Sequence, residues 1–365
     1  MIRKFLPALL ALALLLSACR VSPSPAPLPS VDTPESEPKT PETLTVITHD
    51  SFAVSGSLIA DFEKANNAKI AFIKGGDAGG TLNRLILTSL SGSHQADVFY
   101  GLDNTFLSRA LEQDLFETYA PVGLENVAAE FKMDPNNGAT PIDYGDVCIN
   151  YDKAYFEDNE LPLPENLVQL RDPVYVGKLA VINPATSSPG LAFMLATIAA
   201  FGEDGWLDWW GAMKENEVVV APDWETAYYT NFSGSSGKGP QPMVVSYASS
   251  PAAELMFSDP RLEESPTASL VFENACWRQV EFAGILKGTA HRALAEKFMD
   301  FLLSKAFQED VPGQMFVYPV LPGANLPADY VTASQIPEKP ASLDPALIAA
   351  NREAWVQAWT DLMLK

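Results

Sequence analysis

Short apolar runs of strand length alternate with amphipathic stretches of helical length along most of this chain. Leu44–Thr48 reads as a strand, followed by a turn at Asp50-Ser51 and a helix over about Leu58–Ala65. Lys69–Ile73 is a second strand, and Gly75, Gly76, Gly79 and Gly80 make a loop around Asp77. Thr81 is placed to cap a helix over Leu82–Ser89, whose Leu82, Leu85, Ile86 and Leu90 share one face. Asp97–Tyr100 is a third strand and Leu107–Gln113 a third helix. Such a strand–helix order predicts a parallel sheet with ligands gathering at the carboxyl ends of its strands.

The second half continues in the same style. The strand Lys178–Ile182 leads through Asn183-Pro184-Ala185-Thr186-Ser187-Ser188-Pro189-Gly190 into a long apolar helix from Leu191 to about Ala200. Val218–Ala221, Met243–Ser246, Leu270–Phe272 and Gln279–Leu286 are further strand candidates. Helices are expected over Ala290–Ser304 and from about Pro345 to Lys365. Between Phe232 and Pro242, Ser-Gly-Ser-Ser-Gly-Lys-Gly-Pro reads as a flexible surface insertion. No internal repeat and no heptad run is visible.

The first 43 residues follow a different logic. Arg3 and Lys4 precede an apolar core from Phe5 to Leu16, the layout of a signal peptide over residues 1–18. A spanning helix needs about 20 apolar residues, more than this segment offers. Leu16-Ser17-Ala18-Cys19 resembles a bacterial lipobox, which implies lipidation of Cys19 after cleavage. Residues 20–43 hold seven prolines among Ser, Thr and acidic residues. That composition cannot bury a core, so 19–43 reads as a lipidated cysteine and an extended linker spanning up to roughly 70 Å. The remainder, from about residue 44, is long enough for two domains.

The formal charge of −22 argues against nucleic acid, which demands basic patches. Apart from Cys19 the chain has Cys148 and Cys276, open to one disulfide or to two buried thiols. His49, His94 and His291 fall in no metal-binding spacing and read as solvated or structural. Ser187 and Ser188 lack a nucleophile elbow, and Cys148 lies in the apolar run Val147-Cys148-Ile149. No catalysis, metal or cofactor is called for. A binding site is better supported. Thr186 to Gly190 offers hydroxyls and backbone N–H groups at a helix start, a cradle for an anion. Trp224, Tyr228, Tyr229, Tyr247, Trp277 and Phe316 lie outside the helical cores, and Asp50, Asp77 and Asp103 follow strand ends. Together they describe an acidic, aromatic cleft suited to a flat or cationic ligand.

Several segments carry a wider resemblance. They include Asp50-Ser51-Phe52-Ala53, Leu82-Asn83-Arg84-Leu85, Ala96-Asp97-Val98 with Gly101-Leu102-Asp103-Asn104, and Asp143-Tyr144-Gly145 with Tyr151-Asp152-Lys153. Thr186 to Leu191, Trp224-Glu225-Thr226-Ala227-Tyr228, Ser246-Tyr247 with Ser249-Ser250-Pro251, and Tyr318-Pro319-Val320 complete the set. In this order they make the chain from Leu44 onward resemble the thiamine-binding substrate-binding proteins of ABC importers. That family has the α/β type II periplasmic-binding-protein fold, two lobes joined by a two-strand hinge with the ligand between them.

The resemblance implies that thiamine or a thiamine phosphate lies between aromatic walls. Asp77 would face the ligand, Ser187 and Ser188 its phosphate, and Trp224, Tyr228, Ser246 and Tyr247 would line the cleft. Asp50, Ser51, Asp103 and Phe316 complete the expected site. This sequence departs from the family pattern at Val54-Ser55-Gly56, where an aromatic is expected, and at Ala253, where a tyrosine is. Phe316 stands where the family has tryptophan. Trp277 or Tyr229 is then expected to compensate from another wall.

The resemblance also sets the lobes: 44–145 with 280–365 as lobe one and 146–279 as lobe two. Cys148 and Cys276 fall on the crossing strands, so a disulfide bridging the hinge is expected. The implied partners are an ABC permease, its ATPase and, through Cys19, the membrane, with the receptor a monomer on the periplasmic or extracellular face. Two alternatives accompany this reading. One is a receptor of the same fold for ferric iron or another small cation, with Tyr228-Tyr229 as phenolate ligands. The other is a thiaminase-like enzyme using Cys148 as nucleophile.

Overall fold

A computed structural model describes residues 40–90, 95–234 and 239–365. The signal segment, Cys19, most of the linker and His94 lie outside them. The strands are β1 (Glu42–Thr48), β2 (Ala68–Lys74), β3 (Val98–Asp103), β4 (Thr140–Asp152), β5 (Leu179–Ile182), β6 (Val219–Ala221), β7 (Met243–Tyr247), β8 (Thr267–Leu270), β9 (Trp277–Ile285) and β10 (Tyr318–Pro319). The helices are α1 (Gly56–Asn66), α2 (Ala78–Leu90), α3 (Leu107–Glu112), α4 (Lys153–Asp158) and α5 (Ser188–Glu215). After them come α6 (Ser250–Met256), α7 (Arg292–Leu302), α8 (Lys305–Gln314), α9 (Ala328–Ala333) and α10 (Pro345–Met363).

One sheet runs β2-β1-β3-β9-β4-β7-β5-β6, with β8 and β10 also paired to β4. The sheet is parallel only toward its two ends, where β1 pairs with β2 and β3, and β5 with β6 and β7. Its centre is antiparallel, because β9 returns beside β3 and β4. The expected parallel sheet is therefore a mixed one. The reason is tertiary: the chain passes through β4 and comes back through β9, a pairing between residues far apart in sequence. All six positions of β3 are buried, as a strand covered on both faces requires.

Three local expectations change. Thr81 is not a cap: α2 begins at Ala78, and the Thr81 N–H already donates to the Asp77 carbonyl at 3.0 Å. Gly79 lies in the first turn of α2 and not in a loop, since a Cβ there would stand 2.7 Å from the Phe106 ring and 3.0 Å from the Thr186 carbonyl. The helix after Gly190 ends as expected near Ala200, at a break at Gly202 (φ 71°), and a second helical stretch runs on to Glu215, burying Trp206, Trp209, Trp210 and Met213. The strand expected at Leu270–Phe272 is shifted to Thr267–Leu270.

Cys148 of β4 and Cys276, just before β9, are joined by a disulfide (Cα–Cα 4.6 Å) and pack on Ala248. With Cys148 bonded, no thiolate is present there, which removes the nucleophile of the thiaminase-like alternative.

Candidate ligand-binding site

The loop after β1, the starts of α2, α5 and α6, the end of β7 and the centres of β4 and β9 face one cleft. Counted out to its open mouth, it holds about 850 Å³ of space. Of the expected residues, Ser51, Asp77, Ser188, Trp224, Tyr228, Tyr247 and Phe316 line it, and so does Tyr229.

The aromatic wall is built from neighbours in sequence. Trp224 stacks on Tyr228, with centroids 5.1 Å apart and planes 15° apart, and Tyr229 meets Trp224 edge-on. A π-helical turn over Thr226–Asn231 presents the two tyrosines. The indole Nε1 donates to Ser246 Oγ at 2.9 Å, which fixes the ring against β7. Opposite, Phe316 is held at φ 59°, left-handed backbone that is strained for a bulky residue. Its carbonyl accepts a 2.5 Å bond from Ser249 Oγ.

Asp50, Asp103 and Ser187 stand behind the lining. Asp50 Oδ1 accepts from the Gly76 N–H at 2.9 Å and so closes the glycine loop. Asp103 is fully buried and accepts from the Thr105 N–H and hydroxyl and from the Ser188 hydroxyl. Burial pushes its carboxyl up to about 6, against those hydrogen bonds. The Ser188 hydroxyl at the helix start is thus committed to a carboxylate. Asp77 stands between the starts of α2 and α5, where the Trp224 N–H approaches it at 3.4 Å. Burial raises its carboxyl too, opposed by Ser187 and His49.

Trp277 is a correction. It is buried at the start of β9, beside Ala341 and Phe131, in a second cavity on another part of the surface. It cannot replace a missing stacking aromatic in the cleft. Tyr144 also turns away, stacked between Phe131 and Tyr318, because alternation along β4 sends Asp143 and Gly145 to the cleft and Tyr144 to the other side.

The sequence reading missed the polar floor of the cleft: His49, Asp143, Glu254, Gln279 and Glu281. A signal existed in β9, where Gln279 and Glu281 sit two apart among apolar neighbours, the pattern of one polar face. His49 is half-buried, with its Nε2 3.4 Å from Glu281 Oε2. A Cβ on residue 101 would collide with the His49 ring, so Gly101 (φ 105°) is required there. Tyr228 is buried and faces Glu254; burial first, then Glu254, drive its phenol well above the usual range. That disfavours the phenolate pair of the ferric-iron alternative.

The chemistry that fits is a flat cation between rings, over carboxylates. Residues 93–339 match the bacterial extracellular solute-binding protein family. The chain belongs to that family. This solute-binding protein is 32% identical over 323 residues to the thiamine-binding periplasmic protein of Escherichia coli (strain K12), covering 87% of this chain and 92% of the relative. The solved structure of a periplasmic thiamin binding protein superposes with a TM-score of 0.77 at 28% identity, covering 88% and 96%. Iron-bound HitA from Pseudomonas aeruginosa superposes with a TM-score of 0.70 at 21% identity, covering 88% and 99%, which bears on the fold alone. The fold is that of the type II periplasmic binding proteins. Among the described residues no helix is long and apolar enough to cross a membrane.

Proposed function

We propose that this solute-binding protein is the extracytoplasmic receptor of an ABC importer and that its cleft binds thiamine or a thiamine phosphate. One observation carries the reading: the stacked Trp224–Tyr228 wall stands over a cleft lined by Asp77, Asp143, Glu254 and Glu281. Stacking and cation–π contacts contribute about 0.5–2 kcal/mol per aromatic, and the carboxylates select for positive charge. The kinship to thiamine-binding periplasmic proteins supports the same ligand. A phosphate would meet the start of α5 beside the Asp77 carboxylate, so unphosphorylated thiamine is the better fit to the charges present.

Residues 44–145 with 280–365 form one lobe and 146–279 the other, closing about β4 and β9 and presenting the loaded receptor to a permease and its ATPase. Cys19 carries the lipid, and the proline-rich linker keeps the receptor at high local concentration near its membrane partner. The test is calorimetry of the mature protein with thiamine, its monophosphate and its diphosphate. Thiamine is expected to bind at least as tightly as the diphosphate. No heat from any of the three at millimolar ligand overturns the ligand assignment. Mass spectrometry of membrane-extracted protein checks the anchor: an unmodified Cys19 at the mature N-terminus overturns it.

A further inference from the structure

Asp143 and Glu281 stand directly opposite each other on the two central strands, and both line the cleft. Cross-strand partners have Cβ atoms about 5 Å apart, and two carboxylates held that close in a buried site do not both ionise readily. Each neighbouring element adds to the constraint. From β3, the Tyr100 hydroxyl donates to Asp143 Oδ2 at 2.5 Å. From the loop after β1, His49 lies 3.4 Å from Glu281 and also feels Asp50 and Asp77. From β7, the Tyr247 hydroxyl donates to Gln279 Oε1 at 3.2 Å, and buried Asp103 lies beyond. Among the described lining residues there is no Lys or Arg, and His49 is the basic side chain.

We propose that Asp143 and Glu281 share one proton in the empty cleft and exchange it for the positive charge of the ligand. The inference rests on the cationic-ligand reading and specifies how that charge is recognised. The O–H bond of the shared proton breaks, the proton passes to solvent, and the second carboxylate left behind is neutralised by the bound cation. An uncharged molecule of the same shape has nothing to offer the pair in return for the proton, so the pair discriminates by charge. Burial and then Glu281 hold the Asp143 carboxyl well above its ordinary range, the direction that retaining a proton requires. His49 is also held above its usual value, with burial opposing and Glu281, Asp77 and Asp50 prevailing, so both groups make cation binding weaken in acid.

The test has two arms on the mature protein. In the ligand-free state, an infrared difference spectrum at pH 7 between wild type and Asp143→Asn is expected to contain the C=O stretch of a protonated carboxyl. Calorimetry with thiamine, in buffers of different ionisation enthalpy, is expected to register about one proton released per thiamine and an affinity rising up to about tenfold per pH unit between pH 6 and 8. Asp143→Asn and Glu281→Gln are expected to abolish most of that release, while His49→Gln retains it. A missing carboxyl band overturns the shared proton whatever the ligand. Thiamine binding without proton release, or release lost only in His49→Gln, overturns the exchange. A carboxyl band with no thiamine heat supports the shared proton and overturns the thiamine assignment instead.

Discussion

Removing the Cys148–Cys276 disulfide offers a stability test whose size follows from the fold. The bond closes a loop across 128 positions of sequence, because β4 and β9 meet at the sheet centre while most of the second half of the fold lies between them. The loop-closure entropy withheld from the unfolded chain corresponds to about 5 kcal/mol at 25 °C, an upper figure since denatured chains retain structure. For roughly 320 folded residues the unfolding entropy is about 0.7 kcal/mol/K, so Tm should fall by about 7 °C at most. The variant is Cys148→Ala/Cys276→Ala, which suits the apolar pocket with Ala248. Urea unfolding followed by tryptophan fluorescence is a suitable readout, because Trp206, Trp209 and Trp210 are almost fully buried. Thiamine affinity should stay within about twofold, since neither cysteine lines the cleft. A loss below about 1 kcal/mol, or two free thiols in the exported protein, would refute the reasoning.

Two further outcomes are expected. Trp224→Ala should weaken thiamine binding roughly 2- to 30-fold, the loss of one stacking face, with unchanged circular dichroism; an unaltered Kd counts against the aromatic wall. The Asp103 carboxyl, lifted by burial to about 6, contributes stability that is present below about pH 4 and lost as pH rises through 6. Asp103→Asn, always neutral, should therefore gain on wild type by about 3 kcal/mol between pH 4 and pH 8. A pH-independent difference in urea unfolding would contradict the buried-carboxyl account.

Much of the architecture was legible because local chemistry decides it. Apolar runs marked β1, β3 and β5, and α10 was expected from about Pro345, where the structure adds a cap: the Asp344 carboxylate accepts the Ala346 N–H at 2.8 Å. The aromatic wall was legible for the same reason: Trp224, Tyr228 and Tyr229 are within one turn of each other and need no distant partner to assemble. The start of α2 was misread because glycines at 79 and 80 look like loop residues. Both lie in the first turn of the helix, and Gly79 serves close packing, a property of what lies across from it, Phe106 and Thr186.

What the amino-acid sequence determined by itself was the order of elements, the aromatic side of the cleft and the presence of acids at strand ends. Those are properties of single segments, governed by periodicity, capping and composition. Only the tertiary structure decided which acids face the cleft. Asp50 and Asp103 follow strand ends as Asp77 does, yet they turn inward to satisfy backbone N–H groups and hydroxyls, while Asp143 and Glu281 come to the floor from strands 138 positions apart in sequence. It also decided that Trp277 belongs to another cavity. Strand pairing between distant segments sets these outcomes: register fixes which of two alternating faces each side chain takes, and register is not written in either strand alone.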